Sequence, residues 1–227
     1  MTPSVSILVP TYREASTISA LLHNLTELGA DEIIVIDGGS LDGTSEIASR
    51  FPGARLIHAE RGRAVQMNAG VLTSRGDVLL FLHADTRLNP GALEPVRRAM
   101  SDPAVAGGNF DIRYDGNDLA AACFTLINRY RCKFGILYGD SGLFCRRSVF
   151  QALDGFKPWP ILEDYEFGRR LRKMGSLALL DEPIYVSNRR WRRGGLVATM
   201  WIWLLIQVLY LLGVSPVRLA RLYSAIR

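Results

Sequence analysis

Four short strand-like segments, three of them apolar runs closed by polar clusters, alternate with helical periodicity and constrain this chain more than any other feature. Val5-Ser6-Ile7-Leu8-Val9 stops at Pro10, and Ile18, Leu21, Leu22, Leu25 and Leu28 then recur at helical spacing with Ser16 or Thr17 available as cap. Glu32-Ile33-Ile34-Val35-Ile36 is the second run, leading through a glycine-rich turn to a short helix from Thr44. A strand near residues 55–58 precedes a helix over 64–72. Val78-Leu79-Leu80-Phe81-Leu82 is the fourth strand, and Asn89-Pro90 predicts a helix start. Such alternation predicts an α/β fold, a mostly parallel sheet with helices on both faces.

Beyond Ala104 the pattern loosens. Strands are expected at 107–112, 143–146 and 177–180, and helices at 119–131 and 165–174. No repeat or linker divides residues 1–186, so a nucleotide-binding half to about Asp85 and an acceptor-binding half after it are expected to share one sheet. Residues 187–227 form a basic, apolar tail.

Ligands in open parallel sheets bind beyond the carboxyl ends of the strands. Polar clusters stand there: Pro10-Thr11-Tyr12-Arg13-Glu14, Asp37-Gly38-Gly39-Ser40, His83-Ala84-Asp85, and later Glu163-Asp164. Each has a structural reading. The glycines after Asp37 can make a tight turn with Asp42 capping a helix, Asp85 can start a turn, and Glu163-Asp164 suits a helix N-terminus. Several acids at one rim would nevertheless repel one another without a cation or substrate, which favours a site.

Charge narrows the partners. The chain has 27 Lys+Arg against 22 Asp+Glu, but no acid follows Glu182, while Arg189, Arg190, Arg192, Arg193, Arg218, Arg221 and Arg227 do. Without those seven the body has 20 positive charges against 22 negative. A near-neutral body argues against nucleic acid, and a basic tail beside apolar residues suggests anionic lipid headgroups. The three cysteines form no C-x-x-C pair, so neither a disulfide framework nor a zinc site is indicated. The first residues lack an export signal, which predicts a cytosolic body.

VSILVPTYREASTI, VIDGGSLDGTSEIA, GRAVQMNAG, GDVLLFLHADT and LEDYEFGRRL resemble, in order, the motifs of family 2 glycosyltransferases of the GT-A fold. Within that family, YGDSGLFCRRSVF and LYLLGVSPVRLARLY are most similar to a bacterial subgroup associated with radical-SAM or selenium domains and with arsenosugar biosynthesis. The resemblance implies inverting transfer from a nucleotide-sugar donor to a small-molecule or lipid acceptor, with Mg²⁺ or Mn²⁺. It places Asp85 as the metal ligand and Asp164 as the catalytic base. Pro10, Thr11, Glu14 and Asp37 would line the nucleoside pocket, and Arg63 would reach the diphosphate unless it is a solvated surface cation. His83 stands where another acid is usual and is expected to meet metal or ribose. Gly38 replaces a second acid often credited with reading the base, which puts uracil specificity in doubt. Asp140, Glu163, Arg190 and Trp191 are expected on the acceptor or diphosphate side, the last two within a degenerate Q-x-x-R-W motif that argues against processive synthesis.

Residues 196–213 carry no charge and sit at the lower length limit for a bilayer span. A span, a helix lying in the interface, and a helix packed on the body or a second copy all stay open. Membrane contact would place the protein on the cytoplasmic face, and oligomeric state is open. Two other readings fit parts of the pattern: a sugar-phosphate nucleotidyltransferase, though Pro10 to Glu14 stand where its usual phosphate loop would follow the first strand, and a non-catalytic membrane-associated nucleotide-binding module. A dinucleotide oxidoreductase would need a G-x-G-x-x-G after a strand, which is lacking.

Overall fold

The computed structural model describes residues 2–114, 125–126, 137, 139–186 and 196–226. The expected helix over 119–131 therefore lies largely outside the described residues, and Ser187 to Trp191, with Arg190 and Trp191, wholly so. Strands β1 (Val5–Thr11), β2 (Glu32–Asp37), β3 (Ala54–His58) and β4 (Val78–Phe81) alternate with helices α1 (Ile18–Glu27), α2 (Thr44–Arg50) and α3 (Arg63–Thr73). There follow β5 (Thr86–Leu88), α4 (Leu93–Met100), β6 (Val105–Tyr114), a 3-10 turn over Gly139–Ser141, and β7 (Phe144–Arg146). The chain continues through α5 (Arg147–Ala152), α6 (Glu163–Leu171), β8 (Ser176–Val186), α7 (Leu196–Leu211) and α8 (Pro216–Ile226).

One sheet carries all eight strands in the order β3-β2-β1-β4-β7-β6-β8-β5. The first four are mutually parallel, β7 runs antiparallel to both β4 and β6, and β8 is parallel to β6. Side chains of a strand alternate between faces, so each central strand feeds two cores. Val5, Ile7 and Val9 of β1 join α1 and α4 on one face, while Leu8 joins α3, α5 and α6 on the other. This explains why these strands read as continuous apolar runs: neither face meets water.

Local corrections have local causes. Asn89-Pro90 does not open α4; Ala92 N–H donates to Asn89 C=O at 3.1 Å with Gly91 at φ +79°, a turn that puts Pro and Gly in its two central places. The expected cap on α1 makes no side-chain hydrogen bond to the helix, because Thr17 Oγ1 donates to Glu14 instead.

Helix α3 positions the site. Gln66 Nε2 donates to the C=O groups of Thr11 (2.8 Å) and Ile36 (2.7 Å), tying the ends of β1 and β2 to the helix. Asn68 holds Phe156 by both backbone groups, at 2.8 and 3.0 Å. Gly70 lets the helix lie against the sheet, since a Cβ there would come within 2.8 Å of Ile36 Cδ1.

Candidate active site

Glu163 and Asp164 begin α6 rather than lying on a loop before it. Their approach is fixed by an aromatic cluster: Phe156 packs on Phe167 at 4.6 Å and edge-on to Phe81 at 5.0 Å between ring centres. Arg170 donates to the C=O groups of Leu153 and Gly155 and holds buried Glu166, which Lys157 Nζ also meets at 2.9 Å. Leu162, directly before the acids, takes φ +62°, a left-handed conformation that costs a branched residue about 1 kcal/mol. Its side chain is buried with Tyr165 against Ile206 of α7 and Leu219 of α8, contacts that offset the strain.

Glu163 and Asp164 are almost wholly buried, at 1% and 5% exposure. Arg63, first residue of α3, reaches both: Nε donates to Glu163 Oε1 and Nη2 lies 3.3 Å from Asp164 Oδ2. Its Nη1 lies 3.2 Å from His83 Nε2, which makes that ring nitrogen the acceptor and places the imidazole proton on Nδ1. Arg63 is thus tied to the buried acids rather than being a solvated surface cation, although a third of its side chain stays exposed. Burial works against its charge, but Glu163, Asp164 and Asp140 together hold the guanidinium more firmly protonated than usual. Burial, with Asp164 beside it, raises the Glu163 carboxyl against the opposing pull of Arg63. Asp164 Oδ2 also accepts the N–H of Gly139 at 2.7 Å, and Oδ1 that of Tyr165 at 2.7 Å.

Arg63, His83, Asp140 and the adjacent pair Glu163 and Asp164, from four separate stretches of chain, therefore share one rim of the sheet. Asp37, at the end of β2, is engaged instead by its own loop, by α2 and by Thr11. Its carboxylate accepts from Gly39 N–H (3.1 Å), Ser40 N–H (2.8 Å), Ser40 Oγ (2.5 Å), Ser45 Oγ (2.8 Å) and, weakly, Thr11 Oγ1. Burial would raise this group, yet those donors hold it below the usual carboxylate range. All its lone pairs are taken, so its evident work is to shape the loop after β2. Glu14 lies alongside, with its N–H on Thr44 Oγ1 at 2.9 Å, and Pro10 is half-buried at the end of β1.

Asp85 is half-buried in the turn after β4, which Thr86 closes by donating N–H (3.2 Å) and Oγ1 (2.7 Å) to His83 C=O. Among the described residues no group of three or more His, Cys, Asp or Glu could by itself hold a metal. His83 is turned to Arg63, so of the two residues expected to meet a metal, Asp85 stays the candidate ligand among the described residues. One carboxylate fits a divalent cation that takes its remaining oxygens from substrate phosphates and water. Gln66 was not singled out by sequence, although its place one turn after Arg63 on the same face was a usable signal. Cys145 is buried in the core, and burial pushes its thiol well up, away from nucleophilic use.

The comparisons with known proteins settle the family. Residues 6–152 match the model described as Glycosyl transferase family 2. A glycosyltransferase of PGL/p-HBAD biosynthesis from Mycobacterium bovis is 31% identical over 220 residues, covering 87% of this chain and 80% of its own. This chain belongs to glycosyl transferase family 2. The glycosyltransferase AglE of Haloferax volcanii is 30% identical over 174 residues. Of AglE the chain spans 55%, and of an uncharacterized Mycobacterium tuberculosis protein 39%. Among solved structures, a Pyrobaculum calidifontis mannosyltransferase in complex with GDP-Man and Mn²⁺ superposes with TM-score 0.64 at 20% identity, over 82% of this chain and 57% of that one. S. aureus TarS in complex with UDP-GlcNAc superposes with TM-score 0.67 at 18% identity, over 82% and 58%. These two establish the GT-A architecture that the motif resemblance implied, within the α/β class that the alternating strands predicted.

Proposed function

We propose that the protein transfers a sugar, with inversion, from a nucleoside-diphosphate sugar to an acceptor hydroxyl or comparable nucleophile. The observation that carries this is Asp164, buried at a helix N-terminus and held by Gly139 N–H and Arg63 where the strands of the nucleotide-binding half end. Asp164 takes the acceptor's proton while the acceptor atom forms its bond to the anomeric carbon. The bond from that carbon to the phosphate oxygen breaks on the opposite face, and the nucleoside diphosphate leaves with the electron pair. Arg63, already gathered by Glu163, turns its remaining exposed edge to the diphosphate.

Asp85 would hold Mg²⁺ or Mn²⁺, whose chemistry is neutralisation of the departing diphosphate's charge. Thr11, Glu14 and Pro10 form the nucleoside side, with Asp37 acting through the loop it shapes. Asp140 lies on the acceptor side with Glu163. The donors seen with the structural relatives, GDP-Man and UDP-GlcNAc, define the first compounds to try. The subgroup associated with radical-SAM and selenium domains is part of this reading, on the strength of GRAVQMNAG and the residues around Gly139. Donor consumption over a panel of nucleotide sugars with Mn²⁺ tests it. Release of nucleoside diphosphate supports transfer, whereas pyrophosphate release from a nucleoside triphosphate and a sugar phosphate would indicate the nucleotidyltransferase instead.

A further inference from the structure

Helix α7 is apolar on two opposite faces. Ile202, Ile206, Leu209 and Tyr210 face the body, against Leu162, Tyr165 and Leu219. Trp201, Leu204, Leu205, Val208, Leu211 and Leu212 are 44–76% exposed. Their spacing of three, four, seven, ten and eleven residues from Trp201 puts them on a single stripe. A bare stripe of large side chains this long marks an interaction surface.

Three occupants are conceivable, and the surroundings choose between them. No described helix is long and apolar enough to cross a membrane. The 16 residues of α7 reach about 24 Å, short of the roughly 30 Å hydrocarbon layer, and its inner face is already covered by protein. A second copy seated on the stripe would bring the same cations with it, and no carboxylate follows Glu182 to meet them. Arg218 and Arg221 are exposed on the neighbouring α8, together with apolar Val217 and Leu222. An open cleft of about 470 Å³ continues the surface, lined by Arg169, by Tyr210 and Leu211 at the end of α7, by Ser215 of the following turn and by Pro216 at the start of α8. Aromatic and aliphatic side chains beside guanidinium groups suit the boundary between acyl chains and phosphate headgroups.

We infer that α7 and α8 dock the protein, lying in the plane of the interface, on an anionic lipid bilayer. The covered face of α7 braces Leu162 and Tyr165, which flank Glu163 and Asp164, so docking sets the candidate base one helix away from the lipid surface. On the transfer reading above, the acceptor is then an amphiphile presented by that surface; the docking itself does not depend on that reading.

Cosedimentation of the full chain with vesicles tests the inference. The protein should pellet with phosphatidylcholine vesicles containing about a third phosphatidylglycerol, and at least about tenfold less with phosphatidylcholine alone. Leu205→Glu with Val208→Glu, both on the exposed stripe, should weaken anionic-vesicle binding about tenfold or more. Arg218→Glu with Arg221→Glu should weaken it as well and flatten its salt dependence. Absence of binding to anionic vesicles would overturn the proposal. So would a wild-type dimer that the Glu pair converts to monomer without vesicle binding, or membrane insertion that resists alkaline carbonate. Thermal shifts with nucleoside diphosphates and Mn²⁺, measured on the Leu205/Val208 variant, separate the two claims. A retained shift keeps donor binding independent of docking, and vesicle binding by a protein that answers to no nucleotide would refute the donor reading alone.

Discussion

Gly139 donates its backbone N–H to Asp164 Oδ2 across 2.7 Å, joining the 3-10 turn to the first turn of α6. With Tyr165 N–H on the other oxygen, the carboxylate is fixed before any substrate arrives. On the proposed mechanism, preorganisation of this kind would spare the base any reorganisation during reaction.

Asp164→Asn keeps the shape and removes the basicity. Turnover should fall about 10²- to 10⁴-fold while the donor-induced thermal shift stays close to wild type. Steady-state kinetics beside the thermal shift checks this, and near-normal turnover would take Asp164 out of the role of base.

Arg63→Ala should cost about 3 kcal/mol in urea unfolding, because it leaves Glu163 buried and uncompensated. Adding Glu163→Gln should recover part of that stability without recovering turnover. An additive double mutant would show that the two side chains are not energetically coupled.

Asp37 predicts a pH signature. Its folded-state pKa is depressed below the ordinary carboxylate value, so its contribution to stability is fully present above that ordinary value and is lost as pH falls through the lower folded one. Asp37→Asn, which leaves donors of Ser40 and Ser45 unmet, should cost about 1–3 kcal/mol at neutral pH. The gap from wild type should close on acidification; unfolding curves taken from neutral pH down to about pH 2 measure it.

Gly38→Asp, which restores an acid the motif usually carries there, should destabilise the protein and weaken nucleotide binding. A Cβ at 38 would meet Gln66 Nε2 at 3.1 Å and the Arg61 backbone at 3.3 Å, and Gln66 is committed to two carbonyls. The cost should be about 1–3 kcal/mol, and tighter UDP binding by the variant would contradict it.

Metal binding should be conditional on donor. With one candidate carboxylate, Mn²⁺ alone should scarcely move the melting temperature, and Mn²⁺ with a nucleoside diphosphate should raise it by several degrees. Asp85→Ala should abolish that synergy, and a chelator should suppress turnover.

Strands β1, β2 and β4 were legible because burial on both faces leaves an unbroken apolar signature, as at Val5, Ile34 and Leu80, whereas β3, at the sheet edge, is only half-buried. β5 and α5 were not, since three to six residues carry too little periodicity. Thr86–Leu88 becomes a strand only because β8 offers it a partner. The site divided likewise. Candidate acids could be recognised at strand ends, but the union of Arg63 with Glu163, 100 positions apart, is a product of tertiary packing. Asp37 shows the converse: its position was read from the chain, and its five donors only from the folded loop.

Because α3 meets the acids through Arg63, two strand ends through Gln66, the loop before α6 through Asn68 and the sheet through Gly70, its length cannot drift. Inserting or deleting one residue would turn everything beyond it by about 100° and dislodge several of these engagements at once. Diversification of this helix is therefore confined to exchange at solvent-facing positions such as Leu72, never to gain or loss of residues.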